Sequence, residues 1–326
     1  MSKPAEVAIA AETILSVNNI EVIYDHVILV LKGVSLTVPR GGITALLGAN
    51  GAGKTTTLKV LSGLLHPTSG EVRVLGFTPW ARQHDYLRRI SMVLGNKSQM
   101  LWDIPPLDSF NVLGDIYHVP PAEFKSTLDE LVALLEMEEL LTKPVRNFSL
   151  GERMKCELVA GLLHRPDVLF LDEPTLGLDV SMQARLRRFF AEYNRRSGVT
   201  VILTSHYMAD VVALCPRVIL IHHGQLLYDG ALHGLAEKLA PFKLIRLALR
   251  NGHTTEEVLH SAHNGGGDAE MLEYDDNHFT LRVPRAETPT IAARLLNTLP
   301  VVDFAVEDPP IEAVIDQIYQ EGKVEV

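Results

Sequence analysis

Gly48-Ala49-Asn50-Gly51-Ala52-Gly53-Lys54-Thr55 constrains this chain more than any other segment, because a G-x-x-x-x-G-K-[ST] loop works only between a buried strand and the first turn of a helix. Its neighbours supply both. Ile43-Thr44-Ala45-Leu46-Leu47 is an apolar run of strand length that leads into Gly48. From Lys54 to Leu65, Leu58, Leu61 and Leu65 share one helical face. In such a loop the glycines let backbone N–H groups turn inward around a phosphate, and the helix N-terminus adds favourable partial charge. Lys54 is then placed to reach the β- and γ-phosphates of a nucleotide and the Thr55 hydroxyl to ligate Mg2+, with Gly48, Asn50, Gly51, Ala52, Gly53 and Thr56 completing the cradle.

A second apolar strand, Val168 to Leu171, ends in Asp172-Glu173, which puts two carboxylates at the sheet edge where the phosphate loop also sits. An acidic pair alone is an ordinary solvated strand cap; beside a phosphate loop, Asp172 becomes a candidate for Mg2+, held directly or through water. Between these two motifs lies Phe148-Ser149-Leu150-Gly151-Glu152-Arg153, a Ser/Gly segment that opens a helix. Ser149 with Glu152 has the spacing of a plain capping box, and an N-cap whose amides are released to an incoming phosphate is also an anion site. Thr204-Ser205-His206 follows a further apolar strand, where a histidine either bonds a γ-phosphate or simply sits at the surface.

A chain of 326 residues has room for one large domain and an appendage. The segments Ile14 to Tyr24 and Val27 to Val38 read as an antiparallel β-layer. From about Trp80 to Val145 the pattern becomes helical, with Phe124 to Leu141 periodic and Pro105-Pro106 and Pro120-Pro121 as punctuation. Beyond Pro241 the spacing predicts a small α+β domain. It comprises strands Lys243 to Leu249, Phe279 to Val283 and Val301 to Val306, and helices Ala286 to Leu299 and Ile311 to Tyr319, with a flexible loop at Asn264 to Asp268. Met1 to Glu12 reads as a loose tail lacking the basic start of a secretory signal. No run of eighteen apolar residues occurs, so no membrane span is expected. A net charge of -10 argues against nucleic-acid partners. Cys156 and Cys215 are far apart in sequence, fit neither a disulfide framework nor a zinc site, and suit a reducing cytoplasm.

In this order the motifs resemble those of the ATP-binding subunits of ABC transporters, over about residues 14 to 230. The resemblance implies an α/β fold: a P-loop NTPase core with an antiparallel β-subdomain and a helical insert at about residues 80–150, within an ATP-binding domain at 13–240. Residues 241–326 would form the C-terminal α+β accessory domain. It implies ATP and Mg2+ as cofactors, and as partners an integral membrane permease and a second ATP-binding subunit, in a homodimer held at the cytoplasmic face of the cell membrane. By the same resemblance Glu173 polarises the attacking water, and His206 senses the γ-phosphate. Ser149 and Gly151 touch the γ-phosphate of the neighbouring copy, and Asp179, in Thr175-Leu176-Gly177-Leu178-Asp179, lies on a loop that crosses the dimer interface. Tyr24 stacks on adenine or serves packing alone.

The family commonly reads Leu-Ser-Gly-Gly-Gln where this chain has Phe148-Ser149-Leu150-Gly151-Glu152. It also carries a glutamine that meets Mg2+ ahead of the insert; Asn96 and Gln99 both fall there, and spacing does not choose between them. Asn96-Lys97-Ser98-Gln99 opens like a guanine-reading N-K-x-D motif but lacks its Asp. Up to about Leu65 the chain is similar to ATPases of branched-chain amino-acid importers. From Pro67 on, with Trp102-Asp103-Ile104-Pro105 and Thr204-Ser205-His206-Tyr207-Met208, it is similar to ATPases paired with exporter-type permeases. The expectation is an ATP-hydrolysing motor for efflux, with an importer motor as the rival and a soluble ABC protein acting on ribosomes or DNA further behind.

Overall fold

Two long strands near the N-terminus bury one face and wet the other, which is what their alternating residues require. The computed structural model describes residues 12–25, 27–95, 97–250, 252–263, 268–275 and 277–315. The two strands, β1 (Thr13–Tyr24) and β2 (Ile28–Pro39), pair antiparallel. After the fully buried β3 (Ile43–Leu47) and helix α1 (Lys54–Leu61), strand β4 (Ser69–Val74) joins the other edge of β1, giving a three-stranded sheet. Ile14, Leu15, Ile20, Leu31 and Val34 from this layer share one core with Leu58 and Leu61 of α1.

Next come α2 (His84–Leu87), β5 (Ile90–Leu94), α3 (Pro106–Ile116), α4 (Pro121–Leu135) and α5 (Leu150–Leu162). Both α3 and α4 start with proline in the first turn, where the missing N–H costs nothing. The chain returns through β6 (Val168–Asp172), α6 (Val180–Ser197), β7 (Thr200–Thr204), α7 (Met208–Leu214), β8 (Arg217–His222) and β9 (Gln225–Ala231). These strands form a six-stranded sheet ordered β5-β6-β7-β3-β8-β9, parallel except for the edge strand β9. The carboxyl ends of β3, β6 and β7 therefore share one edge, the place where open α/β sheets bind ligands. The helical stretch starts later than residue 80. Ile90–Leu94 belongs to the sheet because Ile90, Ser91 and Val93 are buried and pair in register with Val168, Leu169 and Leu171 of β6.

A separate compact unit starts at His233, ahead of the expected boundary at residue 241, because α8 (His233–Leu239) belongs to it. It continues as β10 (Phe242–Leu249), α9 (Thr255–His263), β11 (Glu270–Asp275), β12 (His278–Pro284), α10 (Thr288–Thr298) and β13 (Val301–Glu307). Four antiparallel strands in the order β11-β12-β10-β13, with this βαββαβ succession, make a ferredoxin-like layer. Ile245, Leu247, Phe279 and Leu281 of the sheet close a core with Val258 of α9 and Ile291 and Leu295 of α10. Elements α9 and β11 add to the sequence-based expectation. The expected last helix is seen from Ile311 to Ile315; its remainder, the loop Asn264 to Gly267 and the tail through Ala11 lie outside the described residues.

Candidate functional site

The loop between β3 and α1 is held too tightly for side chains at its key glycines. A Cβ on Gly48 would stand 2.4 Å from the carbonyl oxygen of Ile221 on β8, and one on Gly53, at φ 109°, would stand 2.6 Å from Leu31 Cδ2. The loop is fastened by the Ala52 N–H donating to Ala49 O at 3.1 Å and the Gly224 N–H donating to Ala52 O at 3.1 Å. Asn50 and Gly51 remain exposed at the tip. Lys54 is only 5% exposed, and its ammonium donates to the carbonyls of Gly48 at 2.8 Å and Ala49 at 3.2 Å. Burial pulls its pKa down, while Glu173 and Asp172 nearby push it back up. The lysine thus spans the loop from within, facing the two carboxylates.

Those carboxylates come from the end of β6. The Thr55 hydroxyl donates to Asp172 Oδ2 at 3.0 Å, and the Thr204 hydroxyl at the end of β7 donates to Oδ1 at 2.7 Å. Glu173 has left the strand with φ 52°, an uncommon conformation for a residue with a side chain, and its N–H donates to Thr204 Oγ1 at 3.0 Å. That turn points its carboxylate at His206, whose Nε2 lies 2.7 Å from Oε1. Lys54, Thr55, Asp172, Glu173 and His206 thus form one cluster from three neighbouring strand ends.

The cluster fits a cation delivered with a phosphate ligand. Among the described residues no group of three His, Cys, Asp or Glu could hold a metal alone, whereas Thr55 and Asp172 offer two hard oxygens beside the loop that leads into α1. Ligand oxygens would have to fill the remaining positions. The N–H of Gly95, just past β5, donates to Asp172 O at 3.1 Å, and a Cβ there would stand 2.9 Å from Glu173 O. Asn96, next in the chain, lies outside the described residues. Gln99 is not brought to Thr55 and Asp172. Its N–H donates to Glu157 on α5, and it lines a cavity of about 530 Å3 with Leu87, Met92 and Tyr117. Tyr24 packs half-buried against the β-layer core at the end of β1.

The Ser149 segment is set apart from this cluster. Its capping box is complete: the Glu152 carboxylate accepts from the Ser149 N–H at 2.8 Å, and Ser149 Oγ accepts from the Glu152 N–H at 3.3 Å. Among the described residues no hydrogen bond joins it to Lys54, Asp172 or Glu173. Leu150 is exposed, and Gly151 faces Met182 so closely that a Cβ would stand 2.8 Å from its Cε. Asp179 caps α6, accepting from the Met182 N–H at 2.9 Å. A residue the sequence analysis missed, Asp210, ties the loops together. Buried at 2% exposure, it accepts from the Thr175 hydroxyl and from Ser205 Oγ, and pairs with Arg187 at 2.7 Å, so one carboxylate joins the loops after β6 and β7. Its partners stand up to 35 residues away, and no local pattern marks it.

The profile described as "ABC transporter" matches residues 31–176, and the one described as "EvrA-like ABC transporter, C-terminal domain" matches 241–307. The chain is 34% identical over 211 residues to the ABC transporter ATP-binding protein NatA of Bacillus subtilis, spanning 65% of this chain and 85% of that one. It is 32% identical over 237 residues to the Nod factor export ATP-binding protein I of Ralstonia nicotianae, covering 72% of each chain. Among solved structures it is similar to cbiO1 from Clostridium perfringens, part of the ABC transporter complex cbiONQ. The TM-score is 0.63 at 26% identity, over 70% of this chain and 92% of that one.

Proposed function

This chain belongs to the ATP-binding proteins of ABC transporters, and from that premise we propose that two copies close around two Mg-ATP, hydrolyse them, and drive efflux through a separate membrane permease. The observation that carries the reading is the separation of the Ser149 segment from the Lys54–Asp172–Glu173 cluster of its own chain. An anion-binding helix start with no partner in its own site is accounted for when a second copy supplies one, and such pairing is reciprocal about a twofold axis.

When bound, magnesium and the triphosphate would supply a polarised phosphoryl group to the site; the remaining work falls to the chain. The Lys54 ammonium and the backbone N–H groups at the start of α1 hold the phosphates and neutralise charge as it shifts. Thr55 and Asp172, which hydrogen-bond each other at 3.0 Å, would hold the cation. Glu173 orients a water and takes its proton at Oε1, and His206, now 2.7 Å from that oxygen, turns its Nε2 toward the γ-phosphate. Asp210 carries any displacement of the His206 loop to the Thr175–Asp179 loop, which lies beside the proposed partner copy.

A permease segment is the proposed occupant of the cavity between β5, α2 and α3. Leu64 and Ile116 on its lining are exposed, and Leu101 and Trp102 are exposed in the segment that follows Gln99. No helix among the described residues is long and apolar enough to cross a membrane, so the transported molecule's path would lie in that partner. Efflux is favoured over uptake by the likeness to a protein named for Nod factor export.

The test is phosphate release by the purified chain across protein concentration, with Glu173→Gln alongside. Hydrolysis per chain should rise with concentration, and the variant should lose on the order of 10²-fold or more of the rate while accumulating as an ATP-bound dimer. Turnover strictly proportional to protein, from a species that stays monomeric with ATP, would sink the two-site reading.

A further inference from the structure

Helix α5 joins the two halves of the proposed machinery, and one buried carboxylate fixes its position. Glu157, 4% exposed, lies at mid-helix and accepts from Ser98 Oγ at 2.5 Å and from the Gln99 N–H at 3.0 Å on both oxygens; the Met100 N–H in turn donates to Ser98 Oγ at 3.1 Å. Four residues further along the same helix face, Gly161 packs on β5, where a Cβ would stand 2.8 Å from Ser91 Oγ, and just past the helix end His164 Nε2 bonds Ile90 O at 3.0 Å. The face of α5 that carries Glu157 and Gly161, together with the turn at His164, is therefore docked along β5. Glu157 grips the chain as it leaves that strand, four residues after Gly95 has met Asp172 and Glu173.

The geometry points to Glu157 as a positioning residue: by clamping residues 98–100 it holds helix α5, and with it the Ser149–Gly151 segment, in register with the catalytic strand ends of its own subunit. The inference rests on the two-copy reading above and deepens it. From Glu157 to Ser149 the helix spans eight residues, about 12 Å, a length over which an α-helix moves as one body. A shift at the Gly95–Asp172–Glu173 contact then displaces the segment that serves the neighbouring nucleotide. At the clamp two donors, the Ser98 hydroxyl and the Gln99 N–H, converge on one carboxylate. Glu157 touches neither nucleotide nor water in this scheme.

Glu157→Met tests this at similar side-chain length, since it offers no oxygen to either the Ser98 hydroxyl or the Gln99 N–H. In a Glu173→Gln background, binding of a fluorescent ATP analogue to dilute monomer should stay within about twofold, while the ATP-driven monomer–dimer constant should weaken by about tenfold, a single misplaced contact's worth. Adding Ser98→Ala, which removes one donor left without that acceptor, should recover part of that loss. Amide exchange should quicken both at 98–101 and at 149–152. Unchanged dimerisation, or faster exchange confined to 98–101, overturns the coupling role. Equal weakening of monomer binding and dimerisation also overturns it, because that pattern marks general damage to the fold. Should the Glu173→Gln parent bind ATP but never dimerise, the two-copy reading itself falls and the clamp's role with it.

Discussion

Lys54 sits nearly fully buried with its charge answered by two backbone carbonyls and, at longer range, by Asp172 and Glu173. Burying an ammonium is costly, and backbone acceptors recover only part of that cost. The protein tolerates this because the charge serves the ligand. Lys54→Met should therefore leave the melting temperature of the ligand-free chain unchanged or raised, and should abolish the upward shift that ATP gives the parent protein. A thermal melt with and without nucleotide checks both halves; a variant that melts lower and still responds to ATP contradicts the assignment. The two cysteines illustrate the opposite case. Burial pushes the Cys156 thiol up to about 12 and raises that of Cys215 as well, so neither is a nucleophile in the folded chain.

At the scale of elements, the packing of α5 on β5 carries a titratable group. His164 is half-buried, with Nε2 bonded to Ile90 O and its ring stacked on Tyr117 at 3.8 Å, and its partial desolvation lowers its pKa. The unfolded chain therefore binds a proton at His164 more readily than the folded one, between the lowered pKa and the ordinary value of about 6.5. By linkage its contribution is full above about pH 6.5 and is lost as the pH falls through that window. Replacing His164 by Gln, which can still donate to Ile90 O, should flatten that part of the stability–pH profile measured by urea unfolding. Much of this layer was legible beforehand. The strand–loop–helix around Gly48 to Thr55 and the strand ending at Asp172 carry their chemistry in contiguous residues. Helix α6 was left unassigned although its signals are present: Asp179 as cap, Leu186, Phe189, Phe190 and Tyr193 at helical spacing, and Gly198 in the left-handed conformation at its end. Glu157 and Asp210 were not legible, since their partners lie 58 and 35 residues away and only the fold brings them together. Spacing left Asn96 and Gln99 open as the residue that meets Mg2+, and it could not show that the Gln99 N–H is drawn to Glu157, 58 residues away.

Across the whole molecule, two units with separate hydrophobic cores, one ending at Leu232 and one beginning at His233, call for two heat-absorption peaks in calorimetry. Nucleotide should raise only the peak of the first unit, by about 2.7 kcal/mol at a hundredfold excess over its dissociation constant. A single peak that shifts as a whole would show the units to unfold as one. The candidate site in the first unit has a further property. Each of its working groups is already engaged within the chain: Lys54 with Gly48 and Ala49, Thr55 with Asp172, Glu173 with His206, Ser149 with Glu152, Asp179 with Met182. In the language of logic the site is a conjunction. A lone anion that meets Lys54, or a lone cation that meets Asp172, breaks one internal bond and leaves the other inputs unset. On the two-copy reading, only a ligand presenting its charges, its cation and a facing copy together would switch every term, and stray phosphates and metal ions would be read as false.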